Sequence, residues 1–302
     1  MFKYSLDNKR YHTLNYYYKN KYNTKVVKIP INISCSCPNK KNGGCIYCNG
    51  DFEFSKTTES LLEQFNKNKV VFDKKWPKSK YIIYFQNGTN TYGDFNKISS
   101  IFNEALTIPN VVGITIATRP DAIDDKWLNY FKSINNKTDL TIELGLQSAN
   151  DETLKLINRG HTLQDFSNTF NLLKDNNIKV VVHIINGLPN ETKEMMIDTI
   201  KYLNELNIDG IKIHMLYITK NTLIEKWFNE GRIKLLSKEE YIDIVATELS
   251  YLKPEIVIHR ITGDPEADNL IEPKWLIKKR QLINDIDKYM VKNSLYQGCK
   301  YN

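Results

Sequence analysis

Two adjoining stretches decide how this 302-residue chain is read: Lys25-Val26-Val27-Lys28-Ile29-Pro30-Ile31-Asn32-Ile33, and the loop it feeds, Cys37-Pro38-Asn39-Lys40-Lys41-Asn42-Gly43-Gly44-Cys45-Ile46-Tyr47-Cys48. The first is rich in β-branched residues and reads as a strand. The second gathers three cysteines, the last two as Cys-x-x-Cys with an aromatic before the final thiol. Two thiolates at that spacing reach one metal centre from a single turn, and a third from the same loop fits an iron–sulfur cluster. A 4Fe–4S cluster with three protein ligands keeps one iron open to bind something else. Cys35 extends the pattern to Cys-x-Cys-x7-Cys-x2-Cys, which could instead close a tetrahedral zinc site. A disulfide framework is disfavoured, because five cysteines is an odd number and the chain is long enough to build its own core. Cys299 reads as an ordinary free thiol.

Outward from the loop, strand-like and helix-like segments alternate. Apolar runs at 80–86, 111–117, 139–145, 178–185 and 208–216 follow the run at 25–33, with helical patterns between them. In 191–206, Met196, Ile200, Leu203 and Leu206 fall on one helical face, with Glu191 and Glu194 where the helix dipole favours anions. Strands and helices at this spacing predict an α/β fold with a parallel sheet and right-handed crossovers. Six such units make an open partial (β/α)6 TIM-type barrel. Chemistry in parallel α/β architectures collects at the carboxyl ends of the strands, and the cysteine loop follows strand one. Beyond 218 come helices at 222–230 and 237–252 and a strand at 255–260. Trp275, Leu276, Leu282, Ile286 and Tyr289 are spaced for an amphipathic helix. The expected organisation is a basic, tyrosine-rich extension over 1–24, a core over 25–217, and a C-terminal α/β extension over 218–302.

The net charge of +7 is concentrated at the ends. Residues 1–30 carry seven Lys and Arg against one acid (Asp7), and residues 274–302 carry seven against two (Asp285, Asp287). Tyr4, Tyr11, Tyr16, Tyr17, Tyr18 and Tyr22 lie among the N-terminal lysines. Ammonium groups neutralise phosphates and rings stack on unpaired bases, so the pattern fits nucleic acid. The same pattern fits the bias of this chain toward Lys, Asn, Ile and Tyr throughout. No apolar run approaches the ~20 residues of a membrane span, and residues 1–10 lack a signal-peptide core. Free thiols without an export signal predict a reducing cytoplasm.

The strand ends carry motifs that must be read together. They are Tyr84-Phe85-Gln86-Asn87-Gly88-Thr89, Thr118-Arg119-Pro120-Asp121, Glu143-Leu144-Gly145-Leu146-Gln147-Ser148, Asn158-Arg159-Gly160-His161-Thr162 and His183-Ile184-Ile185-Asn186-Gly187-Leu188-Pro189. With the cysteine loop, Gly210-Ile211-Lys212-Ile213-His214 and His259-Arg260-Ile261, this set resembles the radical S-adenosylmethionine (SAM) superfamily. The likeness is to its branch related to the catalytic subunit of Elongator, and within that to the YhcC/YtqA-type family. It covers residues from about 10 to about 290.

That resemblance implies a 4Fe–4S cluster on Cys37, Cys45 and Cys48 rather than zinc, with Cys35 uncoordinated. It implies that SAM binds the open iron and is cleaved reductively to methionine and a 5′-deoxyadenosyl radical. By position it makes Tyr47 a neighbour of the adenine and Gln147 and Arg159 SAM contacts, Arg159 by a two-pronged grip on carboxylate. Gln86, Thr89, Glu143, His183 and Gly187 are carried over as further SAM-binding residues. Glu143 is equally read as a structural carboxylate and His183 as a satisfied core histidine. Lys212, His214, His259 and Arg260 are read as lining a substrate pocket or as structural. Departures are the seven residues between the first two cysteines, Ala117 where relatives commonly have Glu, and Asn87-Gly88-Thr89 in place of Gly-Gly-Glu. The implied partners are tRNA and a flavodoxin- or ferredoxin-type donor. The implied reaction modifies the tRNA wobble uridine, taking a 5-carboxymethylaminomethyl group to 5-aminomethyl; the alternatives are radical SAM chemistry on a small molecule or a protein, and a non-catalytic zinc-stabilised RNA-binding module.

Overall fold

The structure is a computed structural model in which residues 2–5, 8–48 and 57–301 are described. The run after Lys25 forms β1 (Val26–Ile31), and each later run adds a parallel strand beside the one before it. These are β2 (Lys80–Phe85), β3 (Val111–Thr118), β4 (Asp139–Gln147), β5 (Lys179–Asn186) and β6 (Gly210–Met215). An N-terminal helix, α1 (Leu14–Tyr22), precedes them. Their crossovers are α2 (Leu61–Lys75), α3 (Phe95–Thr107), α4 (Asp125–Asn135), the pair α5 (Asp151–Leu156) and α6 (Leu163–Asp175), and α7 (Lys193–Glu205). Polar side chains start the helices where the sequence changes period. Ser60 with Glu63 and Thr162 with Asp165 form reciprocal capping boxes at α2 and α6.

The sheet has seven strands rather than six. After a short β7 (Ile218–Thr219), α8 (Leu223–Asn229) and α9 (Lys238–Tyr251), strand β8 (Val257–Arg260) returns to pair in parallel with β6. The expected boundary at 217/218 therefore falls between β6 and β7, with β8 beyond it. A run of four residues reads as a strand from sequence, but its partner is set by packing that no local pattern encodes. The chain ends with β9 (Leu270–Glu272), antiparallel to β7, and α10 (Lys279–Lys292), which buries Leu282, Ile286 and Met290.

Alternate residues of each strand divide between two faces. Ile29, Ile83, Phe85, Ile114, Ile142, Val182 and Ile213 join the main core, packed with Phe65, Phe102, Phe131, Phe170 and Leu203 of the helices. The opposite face is polar. There Lys28, Tyr84, Glu143, His183 and Lys212 meet one another inside the half-barrel.

The N-terminal segment closes the end of the half-barrel remote from the cysteines. Ile258 donates its N–H to the His12 carbonyl at 2.8 Å, and α1 packs against both β1 and β8. The Tyr22 hydroxyl donates to Asp139, the first residue of β4, at 2.5 Å, and Lys21 pairs with the same carboxylate at 2.7 Å. Tyr11 and Tyr18 are buried, and Tyr4 stacks on His12 with centroids 4.6 Å apart. Lys25 donates to Asn15 and sits over Trp76. Much of the aromatic and basic pattern read at the sequence level as a nucleic-acid surface is thus used in packing. Among the described residues, no helix is long and apolar enough to cross a membrane.

Candidate active site

The cysteine loop leaves β1 and is gripped on two sides. On one, Thr89 of the β2 exit donates its N–H to the Ser36 carbonyl at 3.1 Å. On the other, Asn158 donates Nδ2 to the carbonyls of Asn42 and Gly44 at 2.8 and 2.6 Å, while Asn39 donates back to the Asn158 carbonyl at 2.7 Å. Ile46 plugs a second apolar cluster with Leu154, Ile157, Leu188 and Ile224, against which the Tyr47 ring packs. The Ile46 N–H donates to Ile157 at 3.1 Å. The loop after α5 supplies Asn158, Ile157 and Arg159 to these ties, and α8 adds one through the Ile224 N–H to the Ile46 carbonyl at 2.9 Å.

Between these elements is a cavity of about 260 Å³. Of the residues carried over from the resemblance, Cys37, Cys45, Cys48, Tyr47, Gln86, Thr89, Glu143, Gln147, Arg159 and His183 line it. Gly187 does not. Its φ is +79°, and a Cβ there would come within 2.9 Å of Leu236, so this glycine serves a left-handed turn and a tight packing contact. Gln147, at the end of β4 after a register shift, also has a positive φ, 82°. A non-glycine in that region is strained, and the strain aims its side chain at the cavity wall.

Arg159 is 6% exposed. Its Nη2 donates to the Gly145 carbonyl at 2.8 Å and its Nη1 to Cys45 Sγ at 3.7 Å, and its buried Nε has no partner. Room for it is made by Gly145, where a Cβ would lie 2.6 Å from Nη2. Arg119, missed as a site residue by the sequence reading, lines the same cavity at 3% exposure. It grips Asp121 with two 2.8 Å bonds and donates to the Arg159 carbonyl at 2.9 Å, while its buried Nη1 has no partner. Two buried guanidinium groups with unspent N–H donors in one cavity wall fit an anionic ligand, carboxylate above all.

The thiols divide by environment. A hydrogen bond with Cys48, helped by the Arg159 charge against burial, pulls Cys45 down, and the same hydrogen bond, with burial, pushes Cys48 up, so Cys45 is the first of the pair to ionise. Asn39 Nδ2 also approaches Cys45 Sγ, at 3.7 Å. Donors to sulfur favour the thiolate that an iron ligand requires. Burial instead pushes the Cys35 thiol up to about 11, keeping it protonated, although it too lines the cavity. Among the described residues, no three His, Cys, Asp or Glu side chains converge as ligands of a single metal ion.

Glu143 forms the floor. It is 1% exposed; Oε1 accepts from Lys28 at 2.8 Å, and Oε2 from His183 Nε2 at 2.9 Å and from Lys212. Burial alone would raise its pKa, but Lys212, Lys28 and His183 overcome it and hold the carboxyl well below the usual range. Lys212, in contact with Glu143 and Tyr84, is lowered to about 7 by burial.

Comparison with known proteins gives the family. The model of the radical SAM superfamily matches residues 31–203, and that of the radical SAM C-terminal domain matches residues 208–292. This chain belongs to the radical SAM superfamily. It is 38% identical over 98% of its length to YtqA of Bacillus subtilis, covering 94% of that protein. It is 30% identical, over 62% of its length, to the tRNA uridine(34) acetyltransferase of Methanocaldococcus infernus, and spans 35% of that longer protein. Among solved structures, the Elp3 of M. infernus with an N-terminal deletion superposes with a TM-score of 0.69 at 22% identity. That match covers 90% of this chain and 64% of the other. Membership makes the protein an enzyme and implies a 4Fe–4S cluster and SAM. The cavity fits both: three thiols from one loop for the cluster, and the Arg159 and Arg119 donors for the carboxylate of SAM.

Proposed function

We propose that this protein is a tRNA-modifying radical SAM enzyme that acts on the side chain at C5 of the wobble uridine, converting 5-carboxymethylaminomethyl to 5-aminomethyl. The observation that carries the substrate class is the similarity to a tRNA uridine(34) acetyltransferase across 62% of the chain. The observation that carries the chemistry is the cavity itself, with Cys37, Cys45 and Cys48 beside two buried guanidinium groups, each with one unpartnered nitrogen.

Cys37, Cys45 and Cys48 would hold the cluster, leaving one iron for the amine and carboxylate of SAM. When bound, the pair supplies a 5′-deoxyadenosyl radical that abstracts hydrogen. Arg159 and Arg119 would receive the carboxylate, with Gln147, Gln86 and Thr89 completing the wall. The Tyr47 ring, backed by the second apolar cluster, would face the adenine and help keep water out. On the substrate, the carbon between carboxylate and nitrogen is the favoured hydrogen donor, because the nitrogen lone pair stabilises the radical left there. Loss of one more electron, to the oxidised form of a flavodoxin- or ferredoxin-type protein, gives an iminium; addition of water then releases the two-carbon unit as glyoxylate and leaves the amine. Exposed Lys40 and Lys41 lie on the loop's outer side, where an acidic flavodoxin- or ferredoxin-type donor would approach.

Nucleoside mass spectrometry tests this reading. Reconstituted protein, SAM and reductant, incubated with tRNA bearing the carboxymethylaminomethyl group, should deplete that nucleoside and build up the aminomethyl one. Unchanged nucleosides, with SAM still cleaved, would move the substrate to another class.

A further inference from the structure

We infer that His183 is a catalytic base of this cavity, accepting through Nδ1 a proton from the substrate nitrogen, and that Glu143 is the positioning residue that fixes its tautomer. The inference rests on the substrate reading above, and deepens it.

The tautomer follows from donor and acceptor bookkeeping. Lys28 and Lys212 both donate to Glu143, so the carboxylate is ionised and can only accept. Its 2.9 Å contact with His183 Nε2 therefore places the imidazole proton on Nε2. Nδ1 keeps its lone pair. No hydrogen bond to Nδ1 occurs among the described residues, and the side chain retains 18% exposure in a residue that lines the cavity. Register puts the ring beside Gly145, at the strand end where Arg159 enters.

The surroundings keep this lone pair available. Facing His183 are Glu143 from β4, Lys28 from β1, Tyr84 from β2, Lys212 and His214 from β6, and His259 and Arg260 from β8. The His214 ring lies 5.3 Å away. Burial first, then the Lys212 charge, lowers His183 to about 4, so the ring is neutral across the neutral range. A base this weak does not deprotonate a resting ammonium well. It suits an N–H that becomes acidic while the neighbouring carbon loses hydrogen and draws on the nitrogen lone pair. The proton passes from substrate nitrogen to Nδ1. The imidazolium then rests on Glu143, and the proton leaves to water when product departs. The same division of labour operates in carboxylate–histidine pairs of hydrolases.

The test has two arms. In the oxidised holoprotein at neutral pH, ¹⁵N NMR of labelled histidine should show His183 as the Nε2–H tautomer, its signal absent from His183→Gln. In turnover, His183→Gln keeps a hydrogen-bond acceptor but no base. Aminomethyl product per 5′-deoxyadenosine should then fall about a hundred-fold or more. Wild type should hold its ratio as the pH is lowered to about 5, in keeping with a base held near 4. An Nδ1–H tautomer, or a product ratio preserved in His183→Gln, would overturn the assignment and leave a hydrogen-bonding role only. If His183→Gln does not fold, the wild-type product ratio decides: held as the pH is lowered to about 5 it supports the base, and lost between about 6.5 and 5 it overturns it. A wild type that shows the Nε2–H tautomer but leaves the tRNA nucleoside untouched would sink the tRNA reading while supporting the base.

Discussion

Arg159 shows how one residue gathers the site. Its guanidinium donates to Cys45 Sγ and to the β4 carbonyl of Gly145 and lines the cavity, and it reaches all three only because residue 145 has no side chain. Replacing Arg159 by Ala should leave the iron content near normal and weaken SAM binding. Losing a charge-assisted contact to carboxylate costs about 1.5–3 kcal/mol, or roughly ten- to a hundred-fold in affinity. Calorimetry on the reconstituted protein would read this directly, and an unchanged affinity would return Arg159 to a loop-bracing role. Arg159 was legible because it stands in a motif, as were Gln147 and His183. Arg119 stands in a motif too, but in sequence nothing separates an arginine that only grips Asp121 from one with a donor to spare. Glu143 was read with two roles open, and the structure shows its two oxygens engaged by Lys28, Lys212 and His183. Those partners come from three other strands, a conjunction no local pattern contains.

At the scale of elements, the cysteine loop depends on a neighbour 114 to 116 residues away in the chain. Asn158, at φ 51°, hands two hydrogen bonds to the loop backbone. Asn158→Ala removes both and puts a less suitable residue into a left-handed conformation, a loss of about 1–2 kcal/mol in loop stability. Iron should then be lost to a chelator roughly five- to thirty-fold faster than from wild type, followed by the decay of the brown absorbance. Equal rates would show that the loop holds itself. The six strands from 25 to 216 were legible, because β-branched runs alternate with helical periodicity over lengths that leave little choice. Two elements were less so. Helix α1 mixes Tyr, Lys and Asn without an apolar stripe, so its burial of Tyr18 and its ties to Asp139 could not be read from its own residues. Strand β8 was visible, but its place beside β6 was not.

The molecule as a whole carries its histidines inside. The chain has five: His12, His161, His183, His214 and His259. Burial is the leading cause that lowers each below its ordinary value, His161 and His183 to about 4. A lowered folded-state pKa means that the unfolded chain binds more protons between the two values, so stability grows with pH across that window. Acidification from about 6.5 toward 4 should therefore lower the thermal midpoint by several degrees, before most carboxylates titrate. A midpoint flat from pH 7 to 5 would mean that these rings are not buried as described.

The claim on which the rest depends is that Cys37, Cys45 and Cys48 carry a cluster that cleaves SAM. It is tested most directly by 5′-deoxyadenosine formation and iron content in five single Cys-to-Ala variants, reconstituted anaerobically and given SAM and reductant. Cys37→Ala, Cys45→Ala and Cys48→Ala should lose both, while Cys35→Ala, whose thiol burial holds protonated, and Cys299→Ala should keep both. Full iron and undiminished 5′-deoxyadenosine from any of the first three, or their loss in Cys35→Ala, would contradict it.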